Sequence, residues 1–242
     1  MPVQLSIGMW AFAFGPYSSA PKSLDEILKR VSEAGYEGVE LSGYRPHVSP
    51  ETYSSASAQA ELRRKLSDLN LGVSGFSADV GAVNPVVSSN RQAYLDLFRR
   101  ALDVAAGVGS PSIRIDTGCA PGSIPDEDYH TAFHRLADLW RDCAEVARHA
   151  GLFIAWEFEP GFVFNKPSEV LELHERVGHP FFRVLFDTAH AYTCGVVGAH
   201  HHAKPEILEG GIGEFLEMLH DAIGAVHLTD TDGTLYCDDT TT

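Results

Sequence analysis

Short apolar runs alternate with longer amphipathic stretches along the whole chain, and this alternation limits the folds open to it. Several amphipathic stretches end at a glycine directly before the next apolar run, which is typical of βα units that build a parallel sheet. The strand-like runs are Val3–Met9, Gly38–Leu41, Leu71–Phe76, Ser112–Ile115, Phe153–Trp156, Arg183–Phe186 and Ala225–Leu228.

The amphipathic stretches predict six helices. The first is opened by Ser23 and Glu26, whose three-residue spacing is that of a capping box, and continues with an apolar stripe at helical spacing to Ala34. The others are predicted at Ala58–Leu69, Arg91–Gly107, Asp126–Ala150, Ser168–Val177 and Ile212–Ala222. The glycines that precede strands are Gly35, Gly109, Gly151, Gly178 and Gly224.

Two architectures repeat βα units of about 30 to 40 residues: a doubly wound open sheet and a (β/α)8 barrel. A doubly wound nucleotide-binding domain carries a glycine-rich turn after its first strand. Here that turn runs from Trp10 to Pro16 and contains no G-x-G-x-x-G motif. The sequence therefore predicts an α/β fold, a (β/α)8 TIM barrel that lacks its eighth βα unit, as a single domain over residues 1–242.

The first and seventh strand-like runs carry no charged residue that would protect a sheet edge. Parallel strands normally have neighbours and covering helices, so we expect this chain to be a C-terminally incomplete piece of a longer protein. The gap between strands one and seven is then open or is filled by another chain. The stretch Asp238–Thr242 is typical of a loop.

The charge balance excludes several classes of partner. With 18 Lys and Arg against 33 Asp and Glu, the net charge is -15, which disfavours nucleic acid and anionic membrane surfaces. No apolar run approaches the ~20 residues of a membrane helix. The four cysteines form no C-x-x-C pair, and no basic residue precedes the apolar N-terminus as in a signal peptide. We expect a cytoplasmic protein with a small-molecule partner, and a homo-oligomer is left open.

Three strand-like runs end on side chains that bind metals. Glu157 follows the fifth run, Asp187 follows the sixth, and His227 lies near the end of the seventh. Because side chains alternate between the faces of a strand, each shares a face with a small or apolar residue two positions earlier. In a barrel the carboxyl ends of the strands form the active site. The pattern predicts one divalent metal, Mn, Mg, Co or Zn, bound by these three residues.

Four further residues are candidates for substrate binding. His190 follows Asp187 by three residues and would contact substrate or cap a loop, and Glu159 shares the strand face of Glu157 or is a solvated rim charge. Trp10 and His47 follow the first two strands. There they would contact a polyhydroxylated ligand or take part in ordinary loop packing.

Two clusters are not expected to bind metal. The run His200–His202 is predicted to be a solvated loop, because adjacent side chains do not converge naturally on one ion. Asp230 and Asp232 would contact ligand hydroxyls or form the turn into Gly233, and the turn is favoured.

The chain resembles the sugar phosphate isomerase/epimerase family, the xylose isomerase-like TIM barrels. The resemblance spans essentially the whole chain and is most specific in Ala155–Phe158, Phe186–His190 and Val226–Asp230. It implies that Glu157, Asp187 and His227 are metal ligands and that His190 contacts substrate. The family's fourth ligand, a Glu after strand eight, has no counterpart here. No Arg follows His227, where some sugar epimerases of the family carry one.

The resemblance implies a metal-dependent isomerase or epimerase of a small sugar, sugar phosphate or polyol ketone, acting through a metal-stabilised enediolate. Glu157 would bind the metal and act as base, and His190 would hold a substrate oxygen. The first alternative is a non-catalytic sugar-binding or partner subunit of the same fold. The second is an AP-endonuclease-like phosphodiesterase. The acidic charge, and the absence of His at the ends of strands three and four, disfavour that second alternative.

Overall fold

Strands and helices alternate along residues 5–234, the part of the chain that this computed structural model describes. The strands are β1 (Ser6–Gly8), β2 (Gly38–Ser42), β3 (Gly72–Ser77), β4 (Ser112–Ile115), β5 (Phe153–Glu157), β6 (Phe182–Asp187) and β7 (Ile223–His227). The α-helices are α1 (Leu24–Glu33), α2 (Ala56–Asp68), α3 (Arg91–Gly107), α4 (Asp126–His149), α5 (Pro167–Val177), α6 (Thr188–Tyr192) and α7 (Gly211–Leu219).

All seven predicted strands and all six predicted helices are present, which confirms the predicted α/β class. Three details differ. The first strand ends at Gly8, one residue earlier than predicted, because Met9–Phe12 forms a 3₁₀ helix, and its predicted start at Val3 lies outside the described residues. The prediction for Gly224 is wrong, because this residue lies inside β7 instead of ending a helix. Helix α6 and the π-helical turn at Thr193–Val197 have no counterpart in the sequence pattern. The predicted loop at Asp238–Thr242 lies outside the described residues.

The chain divides into two compact units. The first takes the residues up to Val80, Leu95–Ile115 and Val146–Phe153, and the second takes Gly81–Tyr94, Asp116–Glu145 and the residues from Ile154 onward. In the first unit β1, β2, β3 and β4 pair in chain order, each parallel to the next. In the second unit β5, β6 and β7 do the same.

The outward face of the second unit's strands is packed with aromatic rings. Trp156 on β5 and Phe182 on β6 lie 5.4 Å and 5.6 Å from Trp140 on α4, between ring centres. Phe158, directly after β5, lies 5.0 Å from Phe215 on α7, and Phe186 lies 5.8 Å from the same ring. Because side chains alternate along a strand, this packing turns the neighbouring polar residues to the opposite face.

Local signals set the ends of the helices. The Ser23 hydroxyl accepts a hydrogen bond from the Glu26 N–H at 3.2 Å, as expected for an N-cap. The Glu26 carboxylate lies near Lys22 and Arg30, at 3.4 and 3.2 Å. Helix α5 ends at Gly178, whose φ of 57° is left-handed and favours glycine.

Within residues 5–234, every helix falls short of the length and apolar character that crossing a membrane requires.

The N-cap of α1 is testable by stability. Replacing Ser23 with Ala is expected to lower the free energy of unfolding by about 1 kcal/mol, because the Glu26 N–H loses its acceptor. Urea denaturation measures the change. Ser23→Asn is the matched control and should cost only a few tenths of a kcal/mol, since its side-chain oxygen replaces the hydroxyl as the acceptor. Equal losses in the two variants would show that the hydroxyl does not cap the helix.

Candidate metal centre

Strands β5, β6 and β7 end on Glu157, Asp187 and His227, which share one face of the sheet. Asp187 is paired directly with His227 across the β6–β7 ladder, and Glu157 is paired with Leu185, two residues before Asp187. Residues two apart on a strand face the same way, so the three polar side chains point together. The His227 Nδ1 lies 3.1 Å from Glu157 Oε1 and 3.8 Å from Asp187 Oδ2.

Both carboxylates are buried. Glu157 and Asp187 are each 2% exposed. Burying a charged carboxylate is costly unless hydrogen bonds or opposite charge compensate it. At 3.1 Å the Glu157 carboxylate accepts from the His227 Nδ1–H, which supplies one such partner.

Asp187 is held by three donors. Its Oδ1 accepts from the backbone N–H groups of Ala189 and His190, at 2.8 and 3.0 Å, so the carboxylate caps helix α6. Its Oδ2 accepts from the Thr229 hydroxyl at 2.7 Å. The carboxylate is therefore fixed in one orientation, with Oδ2 turned toward His227.

A reciprocal pair of hydrogen bonds joins the ends of β6 and β7. The Thr188 hydroxyl accepts from the Thr229 N–H at 2.9 Å and donates to the Thr229 carbonyl at 2.6 Å. This pair holds Thr229 where its own hydroxyl reaches Asp187. Neither Thr188 nor Thr229 is among the site residues predicted from the sequence, although the alternation of β7 extends to Thr229 and gives it the face of His227.

Helix α6 places His190 beside the two carboxylates. Its Nδ1 lies 3.1 Å from the Phe158 carbonyl and 3.9 Å from Glu157 Oε1. A carbonyl can only accept, so Nδ1 carries the proton and Nε2 keeps its lone pair when the ring is neutral. This backbone contact, which the sequence does not reveal, fixes the ring and leaves Nε2 able to accept a proton or to bind.

The donor set fits a divalent ion. One oxygen each of Glu157 and Asp187 and one ring nitrogen of His190 all lie within 4.8 Å of one another. Ligands of one ion with bonds of about 2.0 to 2.6 Å cannot be much farther apart than this. Carboxylate oxygens with imidazole nitrogens suit Mn, Mg, Co and Zn. His190, predicted as a substrate contact, lies beside the two carboxylates, and its role in substrate binding stays a prediction.

Glu159 lies beyond β5, half-buried and close to Cys194. Burial raises the pKa of the Cys194 thiol well above its usual value, and the negative charge of Glu159 adds to this. The thiol is therefore protonated and unreactive near neutral pH. The role of Glu159 in substrate binding stays a prediction.

Trp10 and His47 lie in the first unit. The Trp10 indole packs on the bare backbone of Gly8, where a Cβ would lie 2.4 Å from the indole nitrogen. The Arg114 guanidinium lies 5.8 Å from the centre of the indole ring. His47 is 1% exposed, and its Nε2 lies 3.0 Å from the Lys22 carbonyl. The roles of His47 and of the half-buried Trp10 in substrate binding stay predictions.

The expectation of a solvated His200–His202 loop is wrong in part. His200 is exposed, but His201 and His202 are half-buried against α4 and the segment after β5. The His202 ring stacks on Tyr129, with ring centres 3.7 Å apart. Asp230 and Asp232 accept from nearby backbone N–H groups of Thr231 and Thr234, as predicted for a turn.

Comparison with known proteins identifies the relatives of this fold. The model of the family described as xylose isomerase-like TIM barrel matches residues 28–237. Fructoselysine 3-epimerase from Escherichia coli O157:H7 is 22% identical over 219 residues, which cover 87% of this chain and 72% of the relative.

Two solved structures show the same fold. A D-tagatose 3-epimerase-like protein has a TM-score of 0.73 at 18% identity, and the match covers 96% of this chain and 78% of that protein's chain. The probable 3-DHS dehydratase from Bacillus anthracis has a TM-score of 0.68 at 18% identity, and the match covers 93% of this chain and 72% of the dehydratase chain. These matches confirm both the predicted resemblance and the TIM-barrel class.

The His200–His202 run is predicted to be dispensable for metal binding. Replacing all three with Ser should leave the metal content per chain unchanged, because the run is separate from the Glu157 cluster. Elemental analysis of the purified protein measures this. The matched variant His227→Ser removes one histidine of the cluster and should lower the metal content. A loss of metal in the triple variant would place a ligand in the run.

Proposed function

The chain belongs to the xylose isomerase-like TIM barrel family, and on that premise we propose that it is a divalent-metal-dependent isomerase or epimerase of a small sugar, sugar phosphate or polyol ketone. The observation that carries this proposal is the meeting of two buried carboxylates and two imidazoles at the carboxyl ends of β5, β6 and β7. In barrels of this type the catalytic residues lie at that end of the strands. The curated relative is itself a sugar epimerase, which supports the same reaction class.

Glu157, Asp187 and His227 would hold the metal, and His190 lies beside them, where it would contact the substrate. A bound divalent ion would polarise a substrate carbonyl and favour loss of the neighbouring proton. The Thr229 and backbone bonds to Asp187 would keep that ligand in place without rearrangement.

Glu157 is the candidate base. Removal of the proton next to the carbonyl leaves an enediolate, in which the C–H electron pair is shared with the carbonyl oxygen. Return of a proton to the same carbon from the other side gives the epimer. Return to the former carbonyl carbon, with transfer of the hydroxyl proton from the neighbouring oxygen to the former carbonyl oxygen, gives the isomer. His190, with Nδ1 bonded to the Phe158 carbonyl, presents Nε2 as the acceptor for a substrate hydroxyl.

Glu157→Gln tests the proposed base and ligand. Gln keeps the shape but loses the charge that binds metal and takes the proton, so turnover should fall by about 10²-fold or more. Turnover is measured on a panel of ketoses in D2O with added Mn2+, where NMR detects exchange of the proton next to the carbonyl. Near-normal exchange in the variant, or exchange by wild-type protein in metal-free buffer, would contradict the mechanism.

Glu175→Gln is the matched control for this experiment. Glu175 is exposed on α5, away from the cluster, and its loss removes the same charge from the chain. Exchange rates and thermal stability of this variant should match those of the wild type. Three bound ions per chain would instead favour the phosphodiesterase alternative, and no turnover of any ketose would favour a binding subunit.

Thr229→Val tests the orientation of Asp187. Valine keeps the size of the side chain and removes the hydroxyl that donates to Asp187 Oδ2 at 2.7 Å. We expect the dissociation constant for Mn2+ to rise by about 10- to 100-fold, as for other partners of metal ligands. Calorimetric titration measures it. Thr131→Val, on the exposed face of α4, is the control. Unchanged affinity in Thr229→Val would show that this hydroxyl does not position the carboxylate.

A further inference from the structure

A second cavity lies in the unit that holds the metal centre. Its volume is about 250 Å³, and it is bounded by the start of α4, the segment after β5 and the loop that contains His200–His202. Sites for drug-sized ligands are usually larger, from about 300 Å³ upward, so this cavity suits a smaller group. No Lys or Arg lines it among residues 5–234.

Asn165 turns a hydrogen-bond acceptor toward this cavity. The side chain is 1% exposed, and its Nδ2 lies 3.4 Å from the carbonyls of both Glu159 and Pro160. Both carbonyls can only accept, so the amide nitrogen must face them and Oδ1 must face away. Within the described part of the chain Oδ1 has no donor. This oxygen is available to accept a hydrogen bond from a ligand that brings a donor into the cavity.

A flat aromatic wall borders the same cavity. The rings of Tyr129 and His202 are stacked 3.7 Å apart with an angle of 8° between them. The Tyr129 hydroxyl donates to Glu169 at 3.1 Å, and Glu169 also accepts from the Lys166 N–H at 3.3 Å. Burial raises the pKa of Glu169 and that of Tyr129. These bonds hold the wall rigidly before any ligand arrives.

Backbone strain is concentrated around the cavity. Four non-glycine residues have positive φ in the part of the chain that is described, and three of them flank this space. They are Phe164 at 63°, His200 at 55° and Ala203 at 54°. Such conformations cost free energy and are found preferentially at ligand sites.

The cavity lies within reach of the metal centre. His190 Nδ1 lies 3.1 Å from the Phe158 carbonyl, and Asn165 Nδ2 lies 3.4 Å from the carbonyl of the next residue, Glu159. Successive Cα atoms are about 3.8 Å apart, which limits the separation of these two side chains to roughly 11 Å. This separation is comparable to the length of a disaccharide.

We infer that this cavity binds a second sugar ring, so that the preferred substrate is a ketose carrying a glycosyl group at the end remote from its carbonyl. The inference rests on the proposed function, which places the reacting ketose at the Glu157 cluster. The buried polar group is an uncharged amide, which suits a hydroxyl, whereas an ionic group would require a buried opposite charge. A flat wall with a polar neighbour matches a sugar ring, which has an apolar face and a rim of hydroxyls.

The test compares 6-O-α-glucosyl-D-fructose with D-fructose as substrates. We expect kcat/KM of the wild type to be at least about tenfold higher for the glucosylated ketose, the value of one well-placed hydrogen bond and its packing. Asn165→Ala and His202→Ala should each reduce this ratio toward one. His202→Ala changes a half-buried loop residue, so it remains informative if Asn165→Ala does not fold. His220→Ala, an exposed histidine after α7, is the control and should retain the ratio.

A binding measurement separates this inference from the proposed function. Saturation-transfer NMR with methyl α-D-glucopyranoside should show binding to the wild type and its loss in His202→Ala. If no ketose is turned over, the proposed function fails, and glucoside binding alone decides whether the cavity accepts a sugar. A ratio near one in the wild type, or a ratio unchanged in both cavity variants, overturns the inference. So does the absence of glucoside binding in an inactive wild-type protein.

Discussion

The burial of two carboxylates side by side is the constraint on which the rest of the candidate site depends. Oxygens of Glu157 and Asp187 lie within 4.8 Å of one another, where two negative charges repel by at least about 3 kcal/mol at an effective dielectric constant of about 20. The protein offsets this with the hydrogen bond from His227 to Glu157 and with three donors to Asp187. A divalent cation would remove the repulsion, which is why this donor set suits one.

Aromatic packing on the opposite face of the strands makes this burial feasible. Trp156 and Phe186 occupy the positions directly before Glu157 and Asp187, and their rings pack against α4 and α7. Because side chains alternate, anchoring the rings outward leaves the carboxylates inward. A slip of one residue would move both rings to the opposite face and turn both carboxylates away from His227. The apolar core therefore determines where the charges lie.

Asp187 links the fold to the proposed chemistry. The same carboxylate caps helix α6 and lies among the metal-binding candidates, so the helix that carries His190 begins at the site itself. The loop from Phe158 to Asn165 then connects His190 with the second cavity through backbone carbonyls. TIM barrels support many reactions because such loops vary on a constant set of strands. A second binding cavity formed by these loops would determine which substrate the protein prefers.

The sequence by itself determined the strands, most of the helix bounds and the shared face of Glu157, Asp187 and His227, because strand alternation and helix capping act over a few neighbouring residues. Tertiary structure alone decided the contacts between distant segments. The Thr229 hydroxyl on Asp187, the His190 ring on the Phe158 carbonyl and the stacking of His202 on Tyr129 join residues 32 to 73 positions apart. The burial of His47 against Lys22 is of the same kind. No local period encodes such pairs, since they depend on how the helices and loops pack around the strands.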